Sequence, residues 1–272
     1  MLNKLDITNR RSMTLSLEMT ENDSGYQIAD IDGLDPVKAT LVSTSFAGLN
    51  GEQYQGSTRG PRDVKIVFDL QPDGVKTFSS LRRGLYTYLM PQQEVRLRFY
   101  LDSGLYLDLI GIVETHSSAQ FKEDPNVEVT LRCYQPDFLD PRVVLREGFT
   151  TATTTNTAIS YPGDLEASTI FRLFPNRDVD AFSIYNTPED GVLRQLDFVG
   201  ELIAGDELTI SSIKGSKGIT LKRAGVTSSF LWGRTPQSAW IEMFEGANQF
   251  RVYTPGDPVP YELEYYVRYG GI

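Results

Sequence analysis

The feature that most constrains this chain is an alternation of apolar with mostly polar side chains. In RDVKIVFDLQ, Val64, Ile66, Phe68 and Leu70 alternate with Asp63, Lys65, Val67 and Asp69. Successive side chains of an extended strand point to opposite faces, so a period of two describes a strand with one buried face. EVRLRFYLDSGLYLDLIGIV carries the pattern twice. Val95, Leu97, Phe99 and Leu101 face one way, Asp102-Ser103-Gly104 supplies a turn, and Leu105, Leu107 and Leu109 return, which predicts a hairpin. VEVTLRCY sets Val127, Val129, Leu131 and Cys133 on one face, which makes the cysteine a small core residue rather than a reactive thiol.

The period changes in PDGVKTFSSLRRGLYTYLMP. Val75, Phe78, Leu81, Leu85 and Leu89 recur at helical spacing, Asp73 is placed to cap the start, and Pro91 forbids continuation. Arg82 and Arg83 then fall on the solvated face of this helix. Periodicity lapses at REGFTTATTTNTA, after two prolines in QPDFLDPR. Short strands resume beyond it, in AFSIYN, RQLDFVGEL, AGDELTISS, GSKGITLKRAG, SAWIEMF, NQFRVYT and YELEYYVRYG. Turn-punctuated strands at this spacing describe a sandwich. The fold class is therefore mainly β, in two domains: residues 1–145, β-rich with one α-helix, and residues 146–272, a β-sandwich. In SAWIEMFEGANQF, Trp240 and Phe244 lie on one face and Ile241 and Met243 on the other, a strand buried on both sides. A turn at Gly246-Ala247-Asn248 would return it as a hairpin, and Trp240 would then belong to the frame of the fold.

Charge and composition narrow the function. The 36 acidic and 26 basic residues give a net charge of −10, spread over both halves, which argues against a basic nucleic-acid or membrane-surface module. One cysteine and one histidine exclude a disulfide framework and the usual zinc sites, and no cofactor is expected. The first twenty residues lack the apolar core of a secretory signal, and no run approaches the roughly 20 apolar residues of a membrane span. A chain made and folded in a cytoplasm, without membrane insertion, is expected.

Few residues suggest chemistry. His116 in ETHSSAQF has serines beside it, but no G-x-S-x-G elbow exists to present a nucleophile, and no catalysis is expected of it. Asp30, Asp32 and Asp35 around Gly33 could offer oxygens to Ca²⁺, yet the later glutamate of an EF-hand loop is missing and Asp and Gly are ordinary turn residues. FAGLNGEQYQGSTRGPR has neither phosphate-loop pattern. It reads as the longest irregular segment of the first domain, and such loops carry function. From about Ser43 to Arg62 it holds Tyr54, Arg59 and Arg62, residue types that anchor interfaces, and these three are the candidates for contact with another subunit. Trp232 in FLWGRTP is the candidate for stacking on a sugar ring, so a carbohydrate-binding sandwich is the alternative function. A hydrolase acting through His116 ranks third.

Taken in order, the segments resemble one family. GYQIADIDGLDPVKATLVSTSFAGLNGEQYQGSTRGPRDVKIVFDL is similar to the opening of the distal tail proteins of long-tailed bacteriophages, where a short strand and a turn lead through a loop into an alternating strand. ISYPGDLEASTIFRLF, LDFVGELIAGDELTISSIKGSKGITL, SAWIEMFEGANQFRVYT and YELEYYVRYGGI resemble successive pieces of that family's C-terminal domain. Glu245 stands where the family has proline, while the Gly and Asn of that turn remain. The resemblance implies an N-terminal hub domain forming a homohexameric ring and a galectin-like β-sandwich attached to it. It implies a structural, non-enzymatic virion protein at the tail tip, assembled in the host cytoplasm. The implied partners are further copies of the chain, the tail tube protein, the tip or baseplate hub, and receptor-binding or side-fibre proteins; no sequence-specific nucleic acid is implied.

Overall fold

The computed structural model describes residues 1–20, 24–48, 50–73, 75–118 and 126–272. Leu49 of the glycine-rich segment and Gly74 ahead of the helix lie outside the described residues. The described residues form two compact units, Met1–Asp140 with Gly270–Ile272, and Pro141–Tyr269. The chain thus returns to the first unit for its last three residues, which the sequence reading gives to the second.

The first unit contains β1 (Leu2–Asn9), β2 (Thr14–Glu18), β3 (Tyr26–Asp32), β4 (Ala39–Thr44), β5 (Gln53–Arg59), β6 (Arg62–Leu70), α1 (Phe78–Tyr88), β7 (Glu94–Leu101), β8 (Tyr106–Ser118) and β9 (Asn126–Cys133). β10 (Phe138–Phe149) begins in this unit and continues into the second. Antiparallel pairings give the order β2-β1-β7-β8-β9-β6-β3. The alternation read from sequence is the inward face of this sheet. Val64, Ile66, Phe68, Val95, Leu97, Phe99, Val127, Val129, Leu131 and Cys133 are all buried, joined by Leu5, Ile7, Leu15 and Leu17 from the β1–β2 hairpin. Burial pushes the Cys133 thiol up to about 12, as expected of a core cysteine.

The helix begins later than its spacing suggests. Thr77 is the N-cap: its hydroxyl accepts from the Ser80 amide, and the Ser80 hydroxyl accepts from the Thr77 amide, a reciprocal capping box. The Asp73 carboxylate instead accepts from the amides of Val75 and Lys76, closing a separate turn before the helix. Val75 is consequently 90% exposed and contributes nothing to the apolar stripe, which is left to Leu81, Leu85 and Leu89. Two polar anchors dock the helix. Asn9 donates from Nδ2 to the Thr87 carbonyl, and the buried Tyr26 hydroxyl donates to the Leu81 carbonyl. The second approach requires Gly84, because a Cβ there would fall 2.3 Å from the Tyr26 oxygen.

The second unit holds β11 (Thr157–Tyr161), β12 (Ala167–Leu173), β13 (Val179–Thr187), β14 (Arg194–Leu202), β15 (Glu207–Ser211), β16 (Gly218–Arg223), β17 (Val226–Ser229), a 3₁₀ turn (Leu231–Gly233), β18 (Glu242–Met243), β19 (Gly246–Tyr253) and β20 (Pro260–Tyr269). One antiparallel sheet runs β17-β16-β15-β12-β20 and the other β11-β19-β13-β14. Their apolar faces supply a single core containing Phe171, Phe182, Phe198, Phe250, Leu263 and Tyr265. Phe171, Phe182, Phe198 and Phe230 follow one another at ring separations of 6.2, 5.0 and 5.4 Å.

The expected strand and hairpin at SAWIEMFEGANQF take a different form. Only Glu242 and Met243 are strand, paired to Ser168 and Ala167 of β12, whereas β19 pairs with β11 and β13 in the other sheet. The segment is a crossover from one sheet to the other rather than a hairpin. The buried Asn248 side chain fixes it, accepting from the Phe244 amide at 3.1 Å and donating to the Phe244 carbonyl at 2.7 Å in place of the backbone pairing a hairpin would provide. Trp240 is half-buried, packed on the edge of the core with Arg234 over its ring at 5.0 Å.

Candidate functional site

The segment expected as an irregular loop is a two-stranded ribbon. β4 and β5 pair antiparallel from Ala39 with Arg59 to Thr44 with Gln53, with a bulge at Val42–Ser43, and form a sheet of their own. Leu41, Val42, Phe46 and Tyr54 are exposed on it, Tyr54 to 61%. A lone two-stranded ribbon is marginal in water, because neither of its faces is covered. This one gains no cover from its own unit, and its apolar side chains stand free for a partner.

The base of the ribbon is fastened. Arg59 pairs with Asp137 at 2.7 Å. Arg62, expected to face a neighbouring subunit, is only 2% exposed and is turned inward instead. Its guanidinium donates to the carbonyls of Pro136 at 2.7 Å and Asp35 at 2.6 Å, and also to those of Gly33 and Gly270, while Phe138 lies 4.4 Å beneath it. Burial pulls its pKa below the usual arginine value, yet four carbonyl dipoles and the aromatic face hold the charge. Arg62 is therefore an internal clasp for the Gly33–Asp35 turn and the C-terminal Gly270, and the interface candidates reduce to Tyr54 and Arg59. Gly33 completes the turn at φ +89°, where a Cβ would lie 2.1 Å from the Asp63 carbonyl oxygen.

A second uncovered apolar surface lies on the outer face of the large sheet. Leu109, Gly111 and Val113 point inward, so Ile110 and Ile112 must point out, and with Tyr134 they border a cleft of about 250 Å³ flanked by Glu94 and Arg132. Sequence reading missed this strip because LIGIV reads as a continuous apolar run. Gly111, whose absent Cβ would meet Cys133 Sγ at 2.8 Å, is the signal that this position packs tightly inward.

The remaining candidates show no reaction centre. His116 lies edge-on to Tyr86 at 4.7 Å; burial lowers its pKa, and its Nε2 has no hydrogen-bond partner among the described residues. Asp30, Asp32 and Asp35 do not converge, and among the described residues no group of three His, Cys, Asp or Glu side chains is placed to hold a metal. No helix among the described residues is long and apolar enough to cross a membrane. Trp232, the candidate for stacking on a sugar ring, is 70% exposed on the 3₁₀ turn and rests edge-on against Phe230 at 4.3 Å.

With this geometry established, comparison with known proteins is informative. Residues 16–133 match the family described as phage tail protein RIFT-related domain. Over 97% of this chain and 98% of the other, the fold superposes on the crystal structure of the SPP1 Dit (gp 19.1) protein, described as a paradigm of hub adsorption apparatus in Gram-positive infecting phages, with a TM-score of 0.68 at 15% identity. The first unit thus carries a phage tail protein domain. The fold of the chain is that of the SPP1 Dit protein, mainly β with one helix. A chain of the phage p2 baseplate in its activated conformation with Sr is more distant, with a TM-score of 0.47 and 7% identity over 99% of both chains. No curated protein matches the sequence significantly. The two uncovered apolar surfaces of the first unit are the features that call for explanation.

Proposed function

We propose that this tail protein is the hub at the distal end of the tail, where six copies close into a ring that joins the tail tube to the tip or baseplate. The observation that carries the reading is the β4–β5 ribbon, which has apolar side chains and no apolar face of its own unit to cover them. A closed ring uses two different surfaces of each subunit in heterologous contact. The ribbon, with Leu41, Phe46, Tyr54 and Arg59, supplies one; the Ile110, Ile112 and Tyr134 strip supplies the other. In this reading the first unit forms the ring, and the second, a galectin-like sandwich, meets receptor-binding or side-fibre proteins. A net charge of −10 suits a channel through which DNA passes without being held. Exposure of Trp232 favours a binding role for that end of the sandwich, and a glycan array with Trp232→Ala tests the carbohydrate version.

Light scattering after size exclusion tests the ring. Six copies of a 30.5 kDa chain give about 183 kDa. Leu41→Asp and Ile110→Asp are each expected to yield folded monomers, since both positions are exposed. Mixed together, the two variants each retain one intact surface and should form dimers that cannot close. A wild-type chain that stays monomeric at high concentration would refute the ring, and a ring that survives both substitutions would refute these surfaces.

A further inference from the structure

Four times in this fold an aromatic ring and a carboxylate share a cation drawn from the chain itself. Lys4 stands 5.1 Å over Tyr100 and 3.3 Å from Asp6. Arg98 stands 5.0 Å over Tyr106 and 2.6 Å from Asp108. Arg194 stands 3.9 Å over Phe244 and 2.8 Å from Asp190, and Lys217 lies 5.8 Å over Trp240 and 3.6 Å from Glu242. The negative face of the ring and the carboxylate act together on the cation in each case.

A fifth group of this kind has no such cation. In the second unit a cleft of about 490 Å³ is lined by Phe149, Phe174 and Tyr261 and by Glu147 and Glu262. Among the described residues, no lysine or arginine stands over any of the three rings, and Glu147 has no ion pair. Arg172 is the basic group that pairs with Glu262. It is held by Glu264 at 2.7 Å and reaches Glu262 only at 3.8 Å. Phe149 is 69% exposed, whereas Tyr261 is fixed from behind by Phe171 and Phe250, at 5.4 and 6.2 Å. The Tyr261 hydroxyl makes no hydrogen bond within the described residues. The cleft is as large as ordinary small-ligand sites, which begin at about 300 Å³. Its charged groups are both acceptors. A neutral occupant would leave Glu147 without a partner, whereas a cation would neutralise it and lie against the aromatic lining.

We propose that this cleft binds an organic cation, an alkylammonium or guanidinium group, presented by a free amine or by a lysine or arginine side chain of a partner protein. The proposal does not depend on the ring. Saturation-transfer NMR on the full chain tests it, with tetramethylammonium and N-acetyl-lysine methylamide as probes and tert-butanol as the neutral isostere. Both cations are expected to give saturable signals that the isostere lacks. Phe149→Ala and Glu147→Gln should each weaken binding about fivefold, the loss of one exposed cation contact. Both residues are exposed, and an unchanged circular dichroism melt will show that the fold is intact. Binding of the lysine derivative assigns the partner side chain as source; binding of tetramethylammonium alone assigns a free quaternary amine. An equal response to tert-butanol, no response to either cation, or undiminished binding in Phe149→Ala overturns the proposal.

Discussion

Arg62→Met tests whether one guanidinium holds distant chain segments together. It donates to four carbonyls, of Gly33, Asp35, Pro136 and Gly270. A hydrogen bond from a charged donor contributes about 1.5–3 kcal/mol, so four set a generous upper bound. Removing the buried charge also recovers several kcal/mol of desolvation, and the methionine stem keeps part of the packing on Phe138. The expected net loss is about 3–5 kcal/mol. For a unit of this size that corresponds to a fall of roughly 10 °C in melting temperature. Calorimetry of the full chain reads the loss. Both tryptophans, Trp232 and Trp240, lie in the second unit, so their emission follows that unit separately. Arg62→Lys retains the charge but presents one nitrogen in place of a planar fork, and should recover less than half of the loss. Deleting residues 270–272 completes a cycle. The Ile272 amide also donates to the Leu34 carbonyl at 3.2 Å, so deletion costs something in either background. It should cost about 1 kcal/mol less when Arg62 is already methionine. Equal cost in both backgrounds, or an Arg62→Met protein melting with wild type, would show that the clasp is incidental.

Two further predictions concern the sandwich. The buried Asp206 carboxylate accepts from Arg223 at 2.7 and 2.9 Å and from the Ile203 amide at 2.9 Å; these bonds, the arginine's foremost, hold its pKa below the ordinary value. A depressed carboxylate pKa stabilises the fold above the unfolded value of about 4, and that contribution is lost as pH falls through the folded value. Asp206→Asn should therefore cost about 1–3 kcal/mol in urea denaturation at pH 7, and less in the acid range below the unfolded value, where the parent carboxylate is itself becoming protonated; a penalty independent of pH would count against the pairing. Separately, Phe198→Ala in the middle of the aromatic series should cost about 3–5 kcal/mol and the half-buried Trp240→Ala roughly half as much. Equal losses would return Trp240 to the place in the frame that its sequence suggests.

What the sequence discloses follows from what kind of contact each element makes. Strands β6, β7, β8 and β9 were legible because a one-sided core imposes its period on consecutive residues. The same signal exists in LDITNRRSMTLSLE, where Leu5, Ile7, Leu15 and Leu17 alternate around a polar turn. The helix start was misplaced because Asp73 and Thr77 are both capable caps, and only the reciprocal bond to Ser80 distinguishes them. The crossover at Glu242–Gly246 was hidden for a different reason. An apolar run does not state which sheet it joins, and the deciding group is one asparagine side chain standing in for backbone partners. Arg62 was legible as an unusual residue but not as a clasp, since its acceptors lie at 33, 35, 136 and 270, and no local pattern links those positions.

The ribbon shows where periodicity ceases to inform. A strand advertises itself by a face that must be hidden, and β4 and β5 hide neither face within their own unit. QYQGSTR accordingly has no alternation to detect, and its glycine and polar residues read as a loop. The strands nevertheless pair over six residue pairs, from Ala39–Arg59 to Thr44–Gln53, with one bulge between them. Backbone hydrogen bonds alone do little to stabilise such a ribbon in water, and the ring contact proposed for it would supply the apolar cover it lacks. The absence of a readable pattern and the exposure of Leu41, Phe46 and Tyr54 thus have one physical cause: neither face of the ribbon is covered within the first unit.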